Sequence, residues 1–212
     1  MATNPEPRKA RLPIVLMALG VIAVLAVVAV VVTRGSGGRS GTRVGLKETR
    51  PVEVNGQALV TLPDGADPAV GSPMPELRGA AFDGSPVVIV HDGKPKVVLF
   101  LAHWCPHCQR ELPVVTAWLR RGGLADGIEL YAVATGTKPD RPNYPPSAWL
   151  ERERWARPVL ADDETFSAAA AVGLSGYPFF VLVDGQGKIV ARKSGALPLA
   201  ELEQLVTRLR AS

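Results

Sequence analysis

The sequence predicts an α/β domain, a central mixed β-sheet flanked by helices, carried behind one N-terminal apolar helix. Three observations predict it. From Gly71 onward, short apolar runs of strand character alternate with helical patterns and end in a hairpin, the pattern of a mixed sheet with helices on both faces. Leu12–Val32 holds no charged residue. The only two cysteines, Cys105 and Cys108, sit where a buried strand meets a helix.

Residues 1–11 form a basic tail with Arg8, Lys9 and Arg11. Leu12–Val32 follows, and some twenty helical residues span about 30 Å, the thickness of a bilayer core. The run exceeds the apolar core of a cleaved signal peptide, so an uncleaved signal anchor is expected. It is apolar on every face, unlike a helix that borders water. Basic residues flank it on both sides, so charge alone does not orient it. The order of basic tail, apolar core and large downstream domain is that of an export signal, which puts the N-terminus in the cytoplasm and the domain outside. Residues 33–50 read as a flexible linker around Gly35-Ser36-Gly37-Gly38.

Within 51–70, apolar residues alternate on both sides of Asn55-Gly56, which predicts an edge hairpin over 51–62. The main domain is expected over 71–212. Its strands are predicted at Val87–Val90, Val97–Leu101, Ile128–Ala134, Pro158–Leu160, Phe179–Val183 and Lys188–Arg192. Its helices are predicted at Gln109–Arg121, Pro146–Arg154, Asp163–Val172 and Pro198–Leu209.

Charge separates along the chain. The formal charge is +4, but residues 1–50 carry +6 and residues 51–212 carry −2. A nucleic-acid binder needs a basic face on its folded domain, so no nucleic-acid partner is expected.

The chemistry lies in Trp104-Cys105-Pro106-His107-Cys108. Residues three apart on a helix share a face, with Cβ atoms about 5–6 Å apart, so a small rotamer change opens or closes a disulfide. A static bond across so short a loop would add little stability. Cys105 falls at the helix start, where unpaired N–H groups and the positive dipole end favour a thiolate, the nucleophilic form. Cys108 lies one turn deeper and is placed to resolve a mixed disulfide. Pro106 suits the first helical turn. A partly protonated His107 between the sulfurs would favour the thiolate further. His103 is expected as an exposed rim residue and His91 in a turn, neither with a role.

No cofactor and no metal are expected. Zinc on Cys105, Cys108, His103 and His107 would crowd four ligands into six residues. A copper carrier using the two soft thiolates is the alternative function, although no third ligand is evident.

The residues Val97–Cys108, Glu111-Leu112-Pro113, Gly176-Tyr177-Pro178 and Val183–Lys188 resemble the thioredoxin superfamily. Among its branches, the chain is most similar to the membrane-anchored TlpA/ResA-like thiol–disulfide oxidoreductases, over about Gly71–Ala211. The resemblance implies a thioredoxin-like fold and disulfide exchange with exported proteins. It also implies a membrane redox partner that resets the pair. It implies a cis Pro178 facing the cysteines, with Tyr177 and Trp104 shaping the substrate surface. It further implies that Glu111 tunes the second thiol or carries its proton. Cytosolic thioredoxins hold a buried acid on the preceding strand, where this chain has Leu99. The Pro-His dipeptide is that of DsbA, an oxidant, whereas the TlpA/ResA-like branch includes reductants, so the direction of transfer stays open.

Overall fold

The computed structural model describes residues 46–210. The expected tail, the apolar anchor and the linker as far as residue 45 lie outside the described residues. The elements are β1 Glu53–Asn55, β2 Glu76–Ala80, β3 Pro86–Ile89, β4 Lys96–Leu101, α1 Pro106–Arg120, β5 Glu129–Ala134, α2 Pro146–Arg152, β6 Val159–Ala161, α3 Ser167–Ala171, β7 Phe179–Val183, β8 Ile189–Ser194 and α4 Leu199–Arg210.

A five-stranded mixed sheet of order β6-β5-β4-β7-β8 forms the centre. β4, β5 and β6 run parallel, while β7 is antiparallel to both β4 and β8. β4 is apolar from Val97 to Leu101 because both sheet faces are covered. Its side chains alternate between two cores. Val97, Leu99 and Leu101 join Leu112, Val115 and Trp118 of α1 and Leu202, Leu205, Val206 and Leu209 of α4. Val98 and Phe100 face the other way, towards Leu77, Val87 and Ile89 and the alanines of α3. Each such fully buried aliphatic or aromatic side chain contributes about 1.5–3 kcal/mol.

The second face is covered differently from the expectation of helices on both sides. A three-stranded antiparallel sheet β1-β2-β3 lies there together with the short α3. β2 was not expected from the sequence. Its run Glu-Leu-Arg-Gly-Ala has one fully buried apolar residue, Leu77, and too little alternation to announce a strand. The hairpin expected over 51–62 does not form. β1 pairs with β2, Val54 opposite Leu77, and not with residues 58–62. Those residues instead bond to the end of α3, Leu59 N–H to Ala171 O and Leu62 N–H to Gly173 O. Gly173 is needed for this docking. Its φ is +65°, and a Cβ there would lie 2.1 Å from Val60 O.

α3 also starts later than expected, at Ser167 rather than Asp163. The two aspartates take the chain's first N–H groups for their own side chains. Asp163 Oδ1 accepts from the N–H groups of Thr165 and Ser167, and Asp162 Oδ1 from those of Asp163 and Ala168. Such local side-chain bonding holds a turn ahead of the helix.

Candidate active site

β4 ends at Leu101, and residues 102–105 turn the chain into α1. Cys105 is the N-cap residue of that helix, with extended backbone at φ −75° and ψ 121°, and Pro106 takes the first helical position. Pro106 brings no N–H. The N–H groups of His107 and Cys108 therefore lead the helix with no partner one turn earlier. Cys105 is nearly buried at 6% exposure, and its Sγ lies 3.6 Å from the carbonyl oxygen of Tyr177. The Tyr177-Pro178 peptide is cis. The sulfur thus faces the segment that leads into β7, 72 residues away in sequence.

Cys108 is fully buried one turn on, and the two cysteines are free thiols. Burial pushes the Cys108 thiol far above its ordinary value; the nearby Cys105 and Glu111 add to this, and the backbone of Ala102 opposes it. Leu99, at the position of the thioredoxin acid, is fully buried in the same cluster as both sulfurs. Glu111 comes from the helix side instead. It is 8% exposed, and burial raises its carboxyl above the usual range while the backbone N–H of Leu197 acts the other way. It is therefore not a surface glutamate.

His107 is exposed beside the cysteines. Its Nδ1 accepts from Arg110 Nη2 at 3.0 Å.

His103 corrects the expectation of an exposed rim residue: it is 1% exposed. Its Nδ1–H donates to Pro142 O at 2.7 Å, and its Nε2 accepts from Lys138 N–H at 3.1 Å. Burial holds its basicity below the ordinary histidine value. The neutral ring and the His103 carbonyl, which accepts from Gln109 and Asn143, fasten the 135–146 loop to the motif. Trp104 adds a third fastening, Nε1–H to Gly136 O at 2.7 Å.

The Trp104 ring meets the Tyr177 ring edge-to-face at 5.8 Å. Tyr177 crosses Gly136, whose φ is +63° and where a Cβ would sit 2.8 Å from the tyrosine oxygen. Beyond it lie Thr135 and Asp162 at the ends of β5 and β6. Asp162 is 1% exposed, its carboxylate accepts from three backbone N–H groups, and burial raises its carboxyl above the ordinary aspartate range while those bonds act the other way. The structure thus brings together Trp104, Cys105, Cys108, Tyr177 and Pro178, with Glu111 behind and His107 at the rim. The sequence reading missed His103, Gly136 and Asp162. A signal existed for the first, a polar ring directly after a buried strand, but its partners lie 35 and 39 residues away.

A family model described as Redoxin matches residues 69–206, more than half of the chain and all of this site. The chain belongs to the redoxin family. Among curated relatives, this redoxin is 26% identical over 132 residues to the methylamine utilization protein MauD of Methylophilus methylotrophus, covering 59% of this chain and 56% of that one. It is 32% identical over 108 residues to the thiol:disulfide interchange protein HelX of Rhodobacter capsulatus, covering 51% and 56%. The chain spans little more than half the length of these curated relatives. Among solved structures, StoA of Bacillus subtilis superposes with a TM-score of 0.53 at 19% identity, over 65% of this chain and 98% of that one. That likeness bears on the fold, and it bears out the thioredoxin-like architecture expected from the motifs.

Proposed function

We propose that this redoxin is an extracytoplasmic thiol–disulfide oxidoreductase that exchanges disulfides with exported proteins through Cys105 and Cys108. One observation carries the reading: a sulfur at a helix N-cap, within 3.6 Å of the Tyr177 carbonyl beside a cis proline, with a second, buried thiol one turn below.

The chemistry follows from that placement. The Cys105 thiolate attacks one sulfur of a substrate disulfide. A Cys105–substrate bond forms, the substrate's own S–S bond breaks, and the second substrate sulfur departs and takes a proton. Cys108, once deprotonated, attacks the Cys105 sulfur. The intramolecular disulfide forms and the substrate leaves fully reduced. Two electrons have passed from the dithiol to the substrate. Run backwards, the same steps oxidise a substrate dithiol. The Tyr177 carbonyl and the Trp104–Tyr177 rings give a peptide an edge to pair with while its sulfur approaches. A thiol or disulfide partner at the membrane resets the pair.

Cys108 needs a base, because burial holds its proton. Glu111 is the acid placed to take it, and its raised carboxyl brings it closer to the thiol in basicity. Glu111→Gln is expected to slow release of the mixed disulfide by on the order of a hundredfold while leaving the first attack intact. Stopped-flow release rates against pH check this. The wild type should gain rate as pH rises through the raised Glu111 value, and the variant should lack that step. Equal profiles would remove Glu111 from the mechanism.

The experiment that tests the function is trapping. In the full chain, Cys108→Ser should accumulate exported proteins linked through Cys105, visible as reductant-sensitive bands. Absence of such adducts in an oxidising compartment would overturn the reading.

The proposed location is the cell membrane, with Leu12–Val32 as a single-pass anchor, residues 1–11 cytoplasmic and the domain outside. The support is the length and apolarity of the run. The full chain should resist alkaline extraction from membranes, and its domain should be cut by protease added from outside. Extraction into the soluble fraction would reject the anchor.

A further inference from the structure

Two cations border the redox motif, each held by a residue of the motif itself. Arg110 is exposed on α1, and its Nη2 bonds His107 Nδ1 at 3.0 Å. Lys138 is exposed on the 135–146 loop, with Nζ 5.2 Å from the centroid of the Trp104 ring. Among the described residues neither forms an ion pair with a carboxylate, although five other cations, Arg78, Lys94, Lys96, Arg192 and Lys193, do. The acids near the site are turned inward. Glu111 is buried against the backbone of Leu197, and Asp162 is buried on three backbone N–H groups. Asp140, exposed two residues beyond Lys138, pairs with neither cation. Residues 51–212 carry a net −2, so this basic rim runs against the charge of the domain that bears it.

We propose that Arg110 and Lys138 make this surface select disulfides flanked by carboxylate side chains, so that the preferred partner is an acidic segment around the reacting cysteine. The inference rests on the disulfide-exchange reading and names its substrate class. Arg110 is bonded to His107, which lies between the two cysteines, and Lys138 sits over the Trp104 ring, which in turn meets the Tyr177 ring. A peptide reaching Cys105 therefore meets two positive charges at the rim of the motif. Exposed rim charges act mainly on the encounter rate, and salt screens them.

The test uses the full chain in non-ionic detergent and three peptides, Glu-Cys-Glu, Gln-Cys-Gln and Lys-Cys-Lys. Each carries its cysteine as a mixed disulfide with 2-mercaptoethanol. Dithiothreitol resets the protein, and each kcat/KM is divided by the peptide's own rate with free dithiothreitol, which removes intrinsic reactivity. The Glu peptide should exceed the Lys peptide by roughly tenfold at low salt, from two rim charges acting together. The ratio should approach one at about 0.5 M salt. In the Arg110→Glu, Lys138→Glu double variant the order should invert. A ratio of one in the wild type at low salt, or a ratio untouched by salt or by charge reversal, would overturn this proposal alone. No turnover of any peptide above the Cys105→Ser background would overturn the disulfide-exchange reading and this proposal with it. The salt dependence of the wild type decides the matter should the double variant not fold.

Discussion

Cys105→Ser should lower disulfide exchange by at least about a thousandfold, to the background of the reductant alone. A serine hydroxyl does not ionise at neutral pH and cannot form the S–S bond on which the transfer depends. The fold should survive. Serine is a favoured N-cap residue, and its oxygen can accept from the leading N–H groups, with which the sulfur makes no cap bond. The side chain is nearly buried but of similar size, so packing against Tyr177 changes little. The contrast with Cys108→Ser separates the two roles. That variant should complete the first attack and stop, leaving a stable mixed disulfide, whereas Cys105→Ser should capture nothing. Mass spectrometry of each variant after exposure to a disulfide substrate reads both outcomes. Adducts on Cys108 in the Cys105→Ser protein, at wild-type rate, would mean that the buried thiol is the nucleophile.

The largest stability effect is expected far from the sulfurs. Asp67→Asn should cost about 3–5 kcal/mol, because it leaves a buried guanidinium uncompensated. Arg192 on β8 has no exposed side-chain surface. Its Nη2 and Nε donate to the two oxygens of Asp67 at 2.6 and 3.0 Å. Its Nη1 donates to Val60 O and Val172 O, both at 2.8 Å. One side chain thus ties the 60–70 segment, the end of α3 and the central sheet together. Asparagine keeps the shape but replaces one accepting oxygen by a donor that meets the guanidinium. The hydrogen bond from Arg192 holds the Asp67 carboxyl below the usual aspartate range. Its contribution is complete above the ordinary aspartate value and is lost as pH falls through the lowered one. Denaturant melts of the full chain should therefore show a drop for the variant near neutral pH that narrows in acid. A difference independent of pH would assign the loss to packing instead.

The motif and its setting were legible because they are local. Val97–Ala102 is a continuous apolar run, as a strand buried on both faces must be, and the cysteines follow it at once. Pro106 at the first position and Gly122 after Arg121 bracket α1. The closing β7–β8 hairpin and α4 also stood out, since Asp184-Gly185 marks a turn and Leu202, Leu205, Val206 and Leu209 recur at helical spacing. β2 did not stand out, because its interior offers only Leu77 to the core. The 51–62 hairpin misled because Asn55-Gly56 is a sound turn signal whose downstream arm docks on α3 instead.

By itself, then, the sequence determined where the two sulfurs stand, at the corner between a buried strand and a helix, since helix starts, strand burial and the spacing of two cysteines are properties of neighbouring residues. Only the tertiary structure decided what surrounds them. It buries His103 beneath the 135–146 loop and brings the Tyr177 carbonyl to Cys105. It turns Glu111 inward and leaves Arg110 and Lys138 facing out. Those placements join residues dozens of positions apart, and a chain pays the entropy of closing such loops only when packing and hydrogen bonds elsewhere repay it. No stretch of neighbouring residues carries that balance.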